Sequence, residues 1–307
     1  MKRGLFFTLA SYLIWGLFPI YWRELSHVSA FESLAHRIFW GFVFVAAALP
    51  LAGGWREVRA ILSRRASCLL LLCSVTFMVI NWFLFIWSVN HDRVLQASLG
   101  YYLSPLVNVL LGVIFLKERL SFWQAVAVGL ALAGVLVLVV GMGEVPVISL
   151  VLSFCFAVYA LLRKIVRAEA LTGLFVELTF IAGPALAYIL RGLFETEAAF
   201  GAGDPATNAL LILAGPVTAL PLIFFSIGAR RLPLSTVGVL QYIPPTMQFF
   251  CGVFLFKEPF PIQQKLCFGF IWAALALFTV ANTPFMRHRP PSFSGDSEAV
   301  RPSLHNR

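Results

Sequence analysis

Two ionisable residues stand inside stretches otherwise almost free of charge: Arg37 in AHRIFW (35 to 40) and Glu177 in GLFVELTF (173 to 180). A charge held in hydrocarbon costs about 2.5 to 3.5 kcal/mol on insertion scales, so each is a functional candidate by default. A carboxyl at that depth can take up a proton or hold a cation, which makes Glu177 the candidate coupling-ion residue. Arg37 can receive an anionic group, with Glu32 one turn away and His36 beside it as local alternatives. Glu177 could equally snorkel to the nearer surface or pair with Arg163 or Arg167. Each lies five or six residues from the end of its stretch, toward opposite surfaces. That spacing leaves them about 12 Å apart along the membrane normal, so no ion pair is expected between them.

Amides supply a second chemistry. SLGYYLSPLVN (98 to 108) and GVLQYIPPTMQ (238 to 248) each carry proline amid apolar residues. At helical spacing Tyr101, Pro105, Asn108 and Gly112 form one stripe, and Gln241, Pro245, Gln248 and Gly252 form another. An amide in hydrocarbon needs a partner, so both stripes are expected to face the protein interior, along a substrate pathway or in an amide bond between Asn108 and Gln248. Pro105, Pro244 and Pro245 remove backbone donors and are expected to break or kink their helices. Tyr12, Trp15, Asn81, Trp82 and Tyr159 add flat apolar faces and hydrogen-bonding groups suited to amphipathic or aromatic solutes. Trp22, Trp40 and Trp87, near the ends of apolar stretches, read as interfacial belt residues. The pairs Lys117-Glu118 and Lys257-Glu258 are candidate gates, or charges anchored at headgroups.

The elements that must position these residues are membrane spans. Of 307 residues 60% are hydrophobic and 12% charged, with mean hydropathy +0.88, which leaves no surface for a water-soluble fold. Runs long enough to cross the hydrocarbon layer lie at about 4 to 22, 32 to 51, 67 to 89, 95 to 116, 122 to 141, 146 to 163, 172 to 191, 207 to 228, 234 to 256 and 263 to 283. Stretches such as 125 to 140 are apolar all round and lack the alternation of a β-barrel. The expected fold is therefore all-α integral membrane, with ten transmembrane helices. The start resembles a signal peptide, but its apolar stretch is long and no small-x-small site precedes Arg23, so it reads as a retained first helix.

With the N-terminus in the cytoplasm, 17 of the 23 basic residues fall inside, which predicts both termini cytoplasmic. The net charge of +9 is thus a matter of orientation, and no nucleic-acid partner is expected. The five cysteines show no C-x-x-C spacing, and neither a disulfide framework nor a metal site is expected. No phosphate-binding loop or catalytic motif occurs, so the chain reads as neither a nucleotide-driven pump nor an enzyme, and no cofactor is expected. The tail 286 to 307, rich in Pro, Ser and charge, is expected to be disordered and cytoplasmic.

The chain repeats itself. At an offset of 140, residues 94 to 140 match 234 to 280: Tyr102 meets Tyr242, Pro105 Pro245, Gly112 Gly252, Lys117 Lys257, Glu118 Glu258 and Gln124 Gln264, while Asn108 faces Gln248. A weaker match at 144 sets Trp15 against Tyr159. The expected units are 1–143 and 144–285, each of five helices. An odd number of spans forces the second copy to enter the membrane inverted, a plan that many secondary transporters use to alternate access. Small residues on the fifth and tenth helices (Gly129, Ala133, Gly134, Ala273, Ala276) indicate close packing or a homodimer contact.

The segments SYLIWGLFPIYWREL, AHRIFW, NWFLFIWSVN, SLGYYLSPLVNVLLGVIFLKERL and LQYIPPTMQFFCGVFLFKEPF together resemble the RarD-like branch of the EamA family, in the drug/metabolite transporter superfamily. The resemblance spans about residues 4 to 283. It implies a ten-helix bacterial inner-membrane carrier with a central cavity lined chiefly by helices 1, 3, 4, 6, 8 and 9, exporting small metabolites or drug-like solutes. The branch carries a chloramphenicol-related label that does not establish a substrate. Two other classes are open: a non-transporting membrane scaffold or sensor, and a channel.

Overall fold

The computed structural model describes residues 2–117, 120–166, 168–195, 198–202, 204–232 and 234–281; Glu118 and the tail 286 to 307 lie outside the described residues. The described chain is helical throughout: α1 (Lys2–Gly16), α2 (Phe18–Glu24), α3 (Ala30–Ala48), α4 (Trp55–Leu62), α5 (Arg65–Asn90), α6 (Val94–Leu116), α7 (Phe122–Met142), α8 (Val147–Val166), α9 (Ala170–Glu195), α10 (Pro205–Ala229), α11 (Leu234–Leu240), α12 (Ile243–Phe250) and α13 (Ile262–Ala281). Among the described residues nine helical stretches are long and apolar enough to span a membrane, α1 and α2 together counting as one. This is an all-α membrane protein.

The ninth apolar run, 234 to 256, is not one of these nine; it is built from α11, α12 and a π-helical turn, Cys251–Leu255. Its break falls at Gln241 and Tyr242, where Pro244 and Pro245 enter the first turn of α12 and their missing N–H groups cost nothing. The expected break at Pro105 differs: α6 runs through it without interruption. Neighbouring helices enclose that turn, and the Ser104 hydroxyl, donating to the Gly100 carbonyl at 3.0 Å, accompanies it. The first span is broken instead, at Leu17, just before Pro19 in α2. The connection 52 to 66 also holds a short amphipathic helix, α4, that buries Val58 and Ile61.

Two buried clusters organise the packing. The larger draws on α2, α3, α5 and α8–α10; the smaller on α6, α7, α12 and α13. Between them, α5 and α6 pack on α8, while α10 and α12 pack on α1; α3 contacts both α9 and α10, α5 contacts α9, and α7 lies along α13. The backbones of α10 and α3 come close together: a Cβ on Gly215 would lie 2.3 Å from the Trp40 carbonyl carbon. Gly134 of α7 is pressed against Cys267 and Phe270 of α13, whereas Gly129, Gly269, Ala273 and Ala276 face outward. Lys117 and Lys257 occupy the same left-handed conformation, φ 55° and 54°, at matching places in the two halves.

Candidate functional site

Arg37 is 4% exposed on α3, and its guanidinium carbon lies 4.2 Å from the ring centre of Trp82, 5.2 Å from Trp22 and 5.5 Å from Phe18. Trp22 is therefore no belt residue; it is 0% exposed in the larger buried cluster, where α2 packs against α5. Neither local partner engages Arg37. Glu32 accepts from the backbone N–H groups of Ala199 and Phe200, and His36 accepts from the Trp40 indole at 3.1 Å. Next to this cage, Tyr101 of α6 donates to the Asn81 carbonyl oxygen at 3.0 Å, and the Asn81 amide donates to the Leu152 carbonyl at 3.0 Å. The rings of Phe18, Phe85, Tyr101 and Phe156 continue the chain of contacts at 5.8 to 6.4 Å.

A second group lies between α1, α10 and α12. Tyr12, Trp15 and Phe225 form a triangle of rings with centroids 5.8 Å apart. Gln248 donates to the Trp15 carbonyl at 3.3 Å, while its own carbonyl oxygen is buried without a partner. The Tyr12 hydroxyl donates to the Val237 carbonyl at 3.4 Å. Asn108 is half-buried and is not bonded to Gln248, so the amide-to-amide bond is not formed; Gln241 is exposed.

Glu177 of α9 is 1% exposed and accepts from Ser74 at 2.7 Å. Arg163 of α8 stands 3.8 Å away, and Tyr159 lies beside the carboxyl. The pairing with Arg163 weighed above is thus present, though loose: Arg163 Nη1 has no hydrogen bond. Glu177 and Arg37 belong to separate clusters.

The four charged gate candidates part company. The Glu258 carboxylate accepts from the N–H groups of Val94 at 2.6 Å and Leu95 at 2.8 Å, so it caps α6 from the other half of the chain. Burial pushes this carboxyl above the ordinary carboxylate range, against the pull of those two bonds. Lys257 and Lys117 are exposed, and Glu118 is outside the described residues. Sequence reasoning missed Arg23, which pairs with Asp92 at 2.6 Å and lies 5.2 Å over the Phe256 ring, tying the ends of α2, α5 and the π turn on the face that carries Glu258. It also missed Ser74, Phe225 and Phe18, whose roles depend on contacts between distant segments.

Comparison with known proteins gives a consistent picture. The EamA-like transporter family model matches residues 2–140. The chain is 44% identical to the uncharacterized transporter YojE of Bacillus subtilis, covering 93% of this chain and 96% of that protein. It is 39% identical to protein RarD of Escherichia coli (91% and 94%) and 32% identical to the chloramphenicol-sensitive protein RarD of Pseudomonas aeruginosa (90% and 93%). A crystal structure with 18% sequence identity superposes with a TM-score of 0.59 over 92% of this chain and 99% of that one, a likeness of fold alone.

Proposed function

Given that the chain belongs to the RarD-like branch of the EamA-like transporter family, and so is a multi-pass transporter of the bacterial inner membrane, we propose that it is a secondary active carrier exporting small metabolites or drug-like solutes by alternating access. The observation that carries this reading is the mirrored packing. Exchanging the two halves, 1–143 and 144–285, turns α5 on α8 into α10 on α1, and α6 on α8 into α12 on α1, while α7 with α13 maps onto itself. Two halves related in this way can trade conformations, which opens the same central site to either face in turn.

In this reading the substrate path runs between the two aromatic groups, past Arg37, Asn81, Trp82 and Tyr101 on one side and Tyr12, Trp15 and Gln248, with its unpaired side-chain carbonyl, on the other. Asn108 and Gln241 come into play as α6, α11 and α12 move. Glu177 takes the coupling proton or cation: Ser74 and Tyr159 supply hydrogen bonds, and Arg163 is near enough to compensate the empty carboxylate and loose enough to let it change state. Both termini lie in the cytoplasm. The name of the Pseudomonas relative supports including chloramphenicol among the first solutes tried.

The test is solute flux into proteoliposomes containing the full chain, with candidates drawn from metabolite profiling of cells with and without it. Flux should follow an imposed pH gradient, and Glu177→Gln should remove that dependence while leaving counterflow. Flux equally insensitive to the gradient in wild type and variant sinks the coupling assignment. Unchanged flux in a double Asn108→Ala, Gln248→Ala protein sinks the path. A rate far above a carrier's conformational cycle, without counterflow, would make the protein a channel.

A further inference from the structure

We propose that Arg37 is the anion-recognition group of the transport site, and that the solute carried bears a carboxylate on a small apolar or aromatic body. This rests on the transport reading above and narrows its substrate class.

The argument starts from charge balance. Arg37 is more than nine-tenths buried, and its Nε and Nη1 atoms have no hydrogen-bond partner. Those two nitrogens carry three of the five guanidinium donors. Among the described residues no carboxylate lies within ion-pair distance of it. The buried acids are engaged elsewhere: Glu32 with the N–H groups of Ala199 and Phe200, Glu177 with Ser74 and Arg163, and Glu258 with the start of α6. A buried cation without a counter-ion is costly, and the cost is recovered when an anion with good geometry arrives.

The cage accounts for only part of that cost. A cation over an aromatic face gains about 0.5 to 2 kcal/mol, less than full desolvation removes. A purely structural side chain of this volume, such as Met or Leu, would pack the rings of Phe18, Trp22 and Trp82 without any penalty. What the guanidinium adds is a planar set of free donors that fits a carboxylate. The surroundings define the rest of the ligand. The residues around the guanidinium, Phe18, Trp22 and Trp82, are apolar, and the Tyr101–Asn81 pair supplies a polar group reached through Phe18 and Phe85. An inorganic anion gains nothing from apolar surroundings; an aryl or branched aliphatic acid does.

The experiment is equilibrium binding of radiolabelled phenylacetate to the full chain in nanodiscs, competed by unlabelled aryl and branched aliphatic acids, by their neutral amides and by aryl phosphates. Acids should compete at least tenfold better than the matching amides, and Arg37→Gln should erase that preference, with Arg37→Lys keeping part of it. Equal competition by acid and amide in wild type, or no saturable acid binding anywhere in the panel, overturns the proposal; phosphates outcompeting acids overturn the carboxylate assignment. If Arg37→Gln fails to fold, the wild-type comparison of acid with amide decides alone. Acid-selective binding without flux would defeat the transport reading only, and flux of uncharged solutes with no acid preference would defeat this inference only.

Discussion

At the scale of single residues, the charges inside the protein differ by what answers them. Glu258 is answered fully, by two backbone N–H groups that nothing else reaches. Glu258→Gln keeps one acceptor oxygen and should leave one of those buried donors unpaired, at a cost of about 1 to 3 kcal/mol, read from unfolding of the purified protein in detergent. The pH dependence has a definite sign. Burial raises the folded-state pKa of Glu258, so the folded protein binds that proton more tightly than the unfolded chain does. The associated stabilisation is fully present below the ordinary carboxylate range and is lost as pH rises through the raised value. A wild-type unfolding temperature that shows no more decline across that window than the Gln variant does would contradict this. Asp204 has the opposite sign: its hydrogen bonds to Thr207 and Ala206 hold it below the usual range, so its contribution fades as pH falls.

Much of this was legible in advance. Arg37 and Glu177 stand out because charge is rare in hydrocarbon, and both prove deeply buried. Their partners were not legible. Ser74 lies 103 residues from Glu177, and no local pattern marks a serine in an apolar helix as the one that meets a carboxyl. Trp22 was misplaced because its place near the end of an apolar run put it at the interface, while the packing of α2 against α5, a contact between distant segments, buries it.

At the scale of elements, close backbone contact matters more than helix propensity. Gly215 of α10 and Gly129 of α7 look alike in sequence, both in apolar runs, but a Cβ on Gly215 would strike the Trp40 backbone, whereas one on Gly129 meets nothing within 4 Å. Gly215→Ala should therefore destabilise by about 1 to 3 kcal/mol or more by forcing α3 and α10 apart. Gly129→Ala should be neutral or stabilise by up to about 1 kcal/mol through propensity alone. Heating followed by gel filtration separates the two; similar losses in both variants would rule out the contrast. Helix existence was readable from hydropathy, because length and apolarity alone set it. Continuity was not: Pro105 sits inside an unbroken α6, while Pro244 and Pro245 open α12, and the difference depends on what surrounds each proline.

At the scale of the whole molecule, the Arg23–Asp92 pair and the Glu258 cap hold the ends of α2, α5, α6 and the π turn together on one face. The ion pair is half exposed and adds about 0 to 1 kcal/mol at most, so Asp92→Asn should barely change stability. Its value here is as a position for a lock. In a cysteine-free background, an Arg23→Cys, Asp92→Cys pair cross-linked on that face should reduce flux to below a tenth, with recovery on reduction. Full cross-linking with undiminished flux would show that this face does not open. The repeat was visible as an offset in the sequence, but which helices pack across it was not, since identical offsets fit several arrangements of the same helices.

The cap on α6 also bears on how the protein is made. Val94 enters the membrane early, but its carboxylate partner is translated 164 residues later, roughly ten to thirty seconds at ordinary elongation rates. Until then the start of α6 has open donors and the first half cannot reach its final form. Truncated chains ending before Glu258 should consequently be recognised as unfinished by membrane quality control, even though every helix of their first half is already inserted.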